Sequence, residues 1–426
     1  MRVLILGGSG LIGTAVCAAL AGRGHALTAF ARDVAAASRR MEGVQWHSVD
    51  IASLSEPGKW QPYLDGVDCV VNCAGALQDG GHDDLVALQQ VAMTALYRTA
   101  KLPAPRLIVQ ISARTDAAGS STAFLKTKRQ ADEALKASGL PCVILRPAVV
   151  IGRNAYGGSA LLRALAAFPL LTPLVHGETP MQFVSLDDVA DAVADAVDGL
   201  IQPGSDLDLA APETPTLAEA VALHRRWLGL PPARQVAVPS FAANLLSQIA
   251  DGLGHLGWRS PLRGTAMTVA SGGVADHAPP TDRSFKPLAK ILSNPAGVQD
   301  LWFARLYLLK APILATLSLF WLLSGLIALI RFEASAQHLI AAGASPIAAG
   351  ALTLATGLAD IALGIGVAFR RYAAIALKGM LLLSATYLLS ATVLAPGLWA
   401  DPLGPLVKVL PSLVLALVAL AILDER

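Results

Sequence analysis

Three glycines spaced three apart, Gly7, Gly10 and Gly13, stand between an apolar run and a helical pattern that starts at Leu11. A chain turning sharply from strand to helix needs the conformational freedom of glycine, and a backbone bare of side chains can bring its amides up to a phosphate. The helix N-terminus adds partial positive charge at the same point. This is the G-x-x-G-x-x-G variant of the dinucleotide fingerprint, and it assigns Gly7, Gly10, Leu11, Ile12 and Gly13 to a pyrophosphate. Roughly 20 residues further on, where such folds place the ribose contact, a second apolar run ends in Ala31-Arg32-Asp33. Arg32 suits a 2′-phosphate, which makes NADP the expected cofactor. Asp33, able to accept from a ribose 2′-hydroxyl, keeps NAD open. Asp50 and Ile51 close the following run, where a carboxylate meets the adenine end.

Two further charges stand where charges are costly. Asp360 and Lys378 interrupt long apolar stretches on either side of Arg370-Arg371. At 1.5 Å per residue they lie roughly 15 and 10 Å from one membrane face, on antiparallel neighbours. They are expected to meet, as a functional pair or as a helix-pinning salt bridge.

The elements that must position these residues can be read from the pattern. Apolar runs at 3–6, 26–31, 67–72, 107–111 and 142–145 alternate with helical stretches. Continuous apolar strands separated by helices imply a parallel sheet covered on both faces, so the expected fold is α/β, a doubly wound Rossmann type. From about 155 the pattern loosens into loop chemistry and shorter elements, among them a capping-box start at Thr216–Glu219. Residues 236–304 read as cap or linker, with a Gly/Pro/Asp-rich stretch at 271–283.

The composition then divides the chain. Hydrophobic residues make up 54% and charged residues 15%, against about a quarter charged in ordinary soluble domains. The apolar excess concentrates after residue 305, in stretches at 311–330, 346–369, 372–394 and 403–422. A helix needs about 20 such residues to span a bilayer, so the third segment, 305–426, reads as an all-α bundle of four transmembrane helices. Trp302, Phe303, Arg305, Tyr307 and Lys310 precede the first span as an interfacial belt. Arg305, Lys310, Arg370 and Arg371 share one face of this arrangement, which places the N-terminal domain in the cytoplasm, against the inner membrane. Gly350, Gly357 and Gly364 repeat along one face of the second span and are expected to pack closely on a neighbour.

Other classes are excluded. Net charge is +2, and no basic run with interleaved aromatics occurs, so no nucleic-acid partner is expected. Cys17, Cys69, Cys73 and Cys142 form no C-x-x-C pair and no cysteine/histidine cluster, so they read as free thiols and no metal site is expected. The glycines break any signal-peptide core at the N-terminus.

Residues 1–230 resemble the short-chain dehydrogenase/reductase superfamily, in its extended or atypical branch, and are similar to the group that includes an NAD(P)H-binding accessory subunit of respiratory complex I. The resemblance rests on the Gly7–Gly13 loop, Val49-Asp50-Ile51, Val71-Asn72-Cys73-Ala74-Gly75, Ile111-Ser112, Leu145-Arg146-Pro147, Val150-Ile151-Gly152 and Phe183–Ala190. It implies that the region after about 155 builds a small substrate cap, that Ala74 and Gly75 line the cofactor, that Ser112 positions a substrate oxygen, and that Lys128 holds the ribose. The family pairs that lysine with a tyrosine four residues earlier, which passes a proton to or from the substrate. Here that position is Phe124, which has no proton to give. Thr122 and Tyr156 are alternative hydroxyls. The four-span segment resembles the DoxX-like family, some of whose relatives are linked to quinone or thiol redox chemistry. The implied protein is a membrane-tethered NAD(P)-dependent oxidoreductase or epimerase-like enzyme. Its substrate would be small and apolar, lipid- or quinone-related, and a membrane redox partner is a further expectation. The alternative is a non-catalytic NAD(P)H sensor or stabilising module of a membrane redox complex.

Overall fold

The computed structural model describes residues 1–76, 84–101, 106–114, 122–258 and 283–424. They fall into two compact units: residues 1–252 with 259–304, and residues 253–258 with 305–426.

The first unit opens with strand β1 (Arg2–Leu6), helix α1 (Leu11–Gly22), β2 (Ala26–Ala31), α2 (Val34–Arg40) and β3 (Val44–Ser48). It continues with α3 (Pro57–Leu64), β4 (Cys69–Asn72), α4 (Ala92–Thr99), β5 (Leu107–Ile111), α5 (Ala123–Ala137) and β6 (Cys142–Pro147). Then come β7 (Val149–Ile151), α6 (Gly158–Ala166), β8 (Leu171–Leu174), β9 (Phe183–Ser185), α7 (Leu186–Val197) and β10 (Asp206–Leu209). There follow α8 (Leu217–Trp227), β11 (Arg234–Ala237), α9 (Ser240–His255) and a four-residue helix, Leu288–Ile291. Seven strands form one sheet in the order β10-β6-β5-β4-β1-β2-β3, every pair parallel. The order reverses between β1 and β4, where Leu6 lies beside Asn72. In doubly wound folds ligands bind at such a switch point, beyond the carboxyl ends of the strands.

Both faces of the sheet are buried, which is why its strands are apolar without alternation. Val3 and Ile5 face Val16, Leu20, Val189 and Val193 from α1 and α7. Leu4 and Leu6 face Trp60, Met93, Leu96 and Leu135 from α3, α4 and α5. A smaller core, in the region expected to form a cap, joins Leu162 of α6, Leu174, Phe183 and Val221 of α8. The capping box at α8 is present in full, Thr216 and Glu219 exchanging bonds with each other's backbone amides.

Among the described residues three helices are long and apolar enough to cross a membrane: Val298–Ile330, which enters the second unit at Arg305, Pro346–Ala368 and Arg370–Leu394. Their outer faces carry large apolar side chains, Ile327 at 60%, Ile375 at 72% and Leu389 at 70% exposure. Their contacts with one another are lined by small residues. A side-chain carbon on Gly325 would lie 2.4 Å from the Gly357 carbonyl oxygen, and one on Gly364 would lie 2.9 Å from the Ser318 carbonyl oxygen. The glycine face of the second long helix therefore packs as expected at Gly357 and Gly364. At Gly350 the neighbour is the Phe332 ring, at an ordinary 3.6 Å.

Two sequence expectations are corrected by the structure. The fourth apolar stretch is helical only over Val409–Ala421, 13 residues. At about 20 Å that is short of a hydrocarbon core of about 30 Å. Residues 401–408 form turns instead, with Gly404 at φ +57 and Pro405 beside it halting the helix. Between the first two long helices lies a ten-residue helix, Phe332–Ala341, which Arg331 precedes. Asp360 and Lys378 do not meet. Asp360 is buried and accepts from Ser324 Oγ and Tyr387 Oη, each at 3.0 Å, while Lys378 is exposed. The helix faces, not the depths, separate them.

Candidate functional site

Strand β1 ends at Leu6, and Gly7 turns the chain at φ +71, a conformation that disfavours any side chain. Three close approaches fix the loop after it. A side-chain carbon on Gly7 would sit 2.9 Å from Ala74 Cα, and one on Gly13 would sit 2.2 Å from the Gly7 carbonyl oxygen. On Gly10 the same atom would approach that oxygen to 3.2 Å. Gly10 is the N-cap of α1 and offers no side-chain acceptor, so the first-turn amides at Leu11, Ile12 and Gly13 are left without a capping side chain. A glycine cradle with uncapped helix amides, at the switch point of a parallel sheet, fits a dinucleotide pyrophosphate.

The residues flanking this cradle divide into caps and one cation. Arg32 is exposed at the end of β2. Asp33 caps α2, its carboxylate accepting from Ala36 N at 2.9 Å. Asp50, at the end of β3, is exposed and accepts from Ala52 N at 3.2 Å, while Ile51 is buried. Both carboxylates therefore serve their own turns.

Across the switch point, Asn72 bonds the Gln110 side chain at 2.9 Å and receives Ala74 N at 3.0 Å, which holds the loop beyond β4. Lys128, on α5, reaches under that loop. Its ammonium donates to Ile111 O at 3.0 Å and Ala74 O at 3.3 Å, and a side-chain carbon on Gly75 would lie 3.3 Å from it. An ammonium has three donors, and these two carbonyls engage two of them. Burial draws the Lys128 pKa below its ordinary value, with the charge of Asp132 opposing.

Lys128 is thus brought beside Ala74, Gly75 and the end of β5, which Ser112 follows in the chain. Asp132 is a surprise. Its spacing from Lys128 suggests a helix-surface pair, yet it is 2% exposed and its bonds go elsewhere. Ser112 Oγ donates to Asp132 Oδ2 at 2.5 Å, and Arg146 approaches the same oxygen at 2.9 Å. The other oxygen, Oδ1, is buried with no hydrogen-bond partner among the described residues. Burial lifts the Asp132 pKa above the usual carboxylate range, against the pull of Ser112 and Arg146. Arg146 itself spans three elements, bidentate on Asp206 at 2.7 and 3.1 Å and bonded to Ala113 O at 2.8 Å. The sequence signal for this network is faint: Asp132 one turn beyond Lys128, and Arg146 before a proline.

Phe124 is half-buried one turn before Lys128, where the proton-bearing tyrosine would stand. Thr122 is the N-cap of α5, its hydroxyl accepting from Leu125 N at 3.3 Å. Tyr156 is half-buried before α6, and its backbone amide donates to Ser159 Oγ. Among the described residues no group of histidine, cysteine and carboxylate side chains could hold a metal ion. Cys17, Cys69 and Cys142 are buried and Cys73 half-buried, all of them free thiols. Part of the 271–283 stretch, residues 271–282, lies outside the described residues.

Residues 7–199 match the NAD(P)H-binding family, and residues 318–417 match the DoxX-like family. Among solved structures the chain is similar to UDP-glucuronic acid 4-epimerase from Bacillus cereus, in complex with UDP-glucuronic acid and NAD. That match has 16% identity and a TM-score of 0.50, and covers 72% of this chain and 99% of that one. It is similar too to WbmH from Bordetella bronchiseptica, in complex with NAD+, at 16% identity and a TM-score of 0.50, covering 72% of this chain and 98% of that one. At such identities the likeness establishes the fold.

Proposed function

We infer that this chain, in which an NAD(P)-binding Rossmann domain is joined to a DoxX-like membrane domain, is a membrane-tethered NAD(P)-dependent oxidoreductase or epimerase-like enzyme. The observation that carries the catalytic reading is the Ser112–Asp132 hydrogen bond beside the buried Lys128. Gly7, Gly10, Leu11, Ile12 and Gly13 hold the pyrophosphate on backbone amides, Ala74 and Gly75 line the cofactor, and the third donor of Lys128 serves a ribose hydroxyl. The bound nicotinamide supplies or accepts the hydride.

Phe124 gives the site no phenol, so the proton takes another route. Ser112 Oγ faces a substrate oxygen and Asp132 Oδ2 stands 2.5 Å behind it. When a substrate alcohol is oxidised, Ser112 takes its proton and passes its own to Asp132. In the reverse direction the proton returns along the same bond. Burial favours the protonated carboxyl and so suits Asp132 to hold that proton.

Three finer assignments belong to the same reading. NADP is the cofactor, because Arg32, exposed at the end of β2, carries the charge that suits a 2′-phosphate, while Asp33 is engaged as the cap of α2. The substrate is small and apolar, lipid- or quinone-related, in keeping with the membrane domain. The Rossmann domain lies on the cytoplasmic side of the inner membrane, as the cations Arg305, Lys310, Arg370 and Arg371 imply.

Phe124 favours a second reading, a non-catalytic NAD(P)H-binding module that senses cofactor or stabilises a membrane redox complex. Single-turnover oxidation of bound NADPH by the full-length protein, supplied with membrane lipids or quinones, separates the two. Turnover that is lost in Ser112→Ala supports the enzyme; tight binding with no turnover establishes the module.

A further inference from the structure

Helix α9 has three faces. Ala243, Ser247 and Ala250, at 6, 9 and 5% exposure, form a buried face of small residues. Asn244, Gln248, Asp251 and His255 form a polar face. The remaining sector carries Phe241, Leu245, Leu246, Ile249 and Leu253, at 75, 58, 51, 54 and 36% exposure. At 3.6 residues per turn these five cover a sector about 140° wide. No charged residue falls within it, and the helix has neither lysine nor arginine.

Five large apolar side chains in a row need a covering. The C-terminal end of the helix identifies it. The last residues of α9 and the hook beyond, Leu253–Trp258, belong to the membrane unit. Arg370 N donates to Leu256 O at 3.0 Å, and Trp258 Nε1 donates to Ala368 O at 2.7 Å, at the turn between the second and third long helices. The Trp258 ring has the Lys310 ammonium and the Arg370 guanidinium each 5.8 Å from its centre. A tryptophan among cations at the ends of apolar helices marks the level of the lipid headgroups. Helix α9 therefore terminates at headgroup level.

We propose that α9 is an interfacial helix, lying in the membrane surface with Phe241, Leu245, Leu246, Ile249 and Leu253 sunk among the upper acyl chains. Lacking basic residues, it holds by apolar burial rather than by attraction to anionic lipid. The chain is then fastened to one leaflet before its first span begins.

The test is site-directed spin labelling of the full-length protein in phosphatidylcholine nanodiscs. Leu245→Cys and Ile249→Cys probe the apolar sector and Asn244→Cys the polar face. Labelled wild type supplies the blank for the native thiols, and a thermal melt of each variant checks folding. We expect collisions with oxygen to exceed those with a water-soluble nickel chelate several-fold at 245 and 249, and the ratio to invert at 244. Equal nickel access at all three positions would place the face in water and overturn the proposal. Shielding of 245 and 249 from both reagents, with or without spin–spin broadening, would show that a second copy or another protein covers them, and would overturn it equally.

Discussion

At the scale of single residues, the candidate site turns on where protons are held. Asp132→Asn preserves a hydrogen-bonding side chain beside Ser112 but cannot take up the proton that the serine relays. It is expected to lower the turnover of bound NADPH at least tenfold while leaving NADPH affinity within about twofold, a cost near 1.4 kcal/mol in the barrier. An equal loss in binding and turnover would assign Asp132 to structure alone. Arg32 makes a separate prediction. Arg32→Ala is expected to weaken NADPH by about tenfold or more and to leave NADH nearly unchanged, as one lost charge-assisted contact to a phosphate would. Equal effects on the two nucleotides, read by fluorescence titration, would refute the NADP assignment. The glycine loop was legible in the sequence because its function needs backbone, and backbone needs glycine at fixed spacing. The Ser112–Asp132–Arg146 network was not. It draws on β5, α5 and β6, and only the folded sheet brings those strand ends together.

At the scale of elements, legibility tracks whether a pattern or a contact decides the outcome. The Rossmann strands could be read because both faces of the sheet are buried, so each strand is a plain apolar run bounded by turns. Composition revealed the membrane segment for the same reason. What it missed was decided by local breakers and helix facing: Gly404 and Pro405 shortening the last helix, and Asp360 turning to Ser324 and Tyr387 rather than to Lys378. The glycines of the bundle give a test of the contacts themselves. Gly325→Val would drive a side chain into the Gly357 carbonyl, where 2.4 Å is available, and backbone there cannot yield cheaply. It is expected to lower the melting temperature of the detergent-solubilised protein by several degrees, whereas Gly350→Ala, with 3.6 Å to the Phe332 ring, is expected to leave it unchanged. Equal tolerance at both positions would mean that the two helices are not in the contact described.

At the scale of the whole molecule, two kinds of stability coexist, one written in water and one in lipid. The cap records the aqueous kind through His224. It is 0% exposed, bonded through Nδ1 to Ala220 O at 2.8 Å, with Nε2 unpartnered among the described residues. Burial pushes its pKa down to about 4. The unfolded chain binds this proton near pH 6.5, so between about 6.5 and 4 the unfolded state holds more protons than the folded one. The contribution is fully present above pH 6.5 and is lost as pH falls through 4, amounting to at most about 3 kcal/mol. Wild type should therefore lose thermal stability between pH 7 and 4.5 more steeply than His224→Leu, measured on the full chain in detergent; parallel curves would show that the imidazole is not the group responsible. The membrane helices should contribute little to that difference. Their long faces carry exposed Ile327, Ile375 and Leu389, whose solvent is hydrocarbon, and the pH of the water does not alter that contact. A cofactor domain that must meet soluble nucleotide and an apolar bundle that must not meet water are joined by residues 240–258 and by the helix that starts at Val298. The share of the chain's acid dependence that His224 carries is thus expected to reside on the cofactor side of that junction.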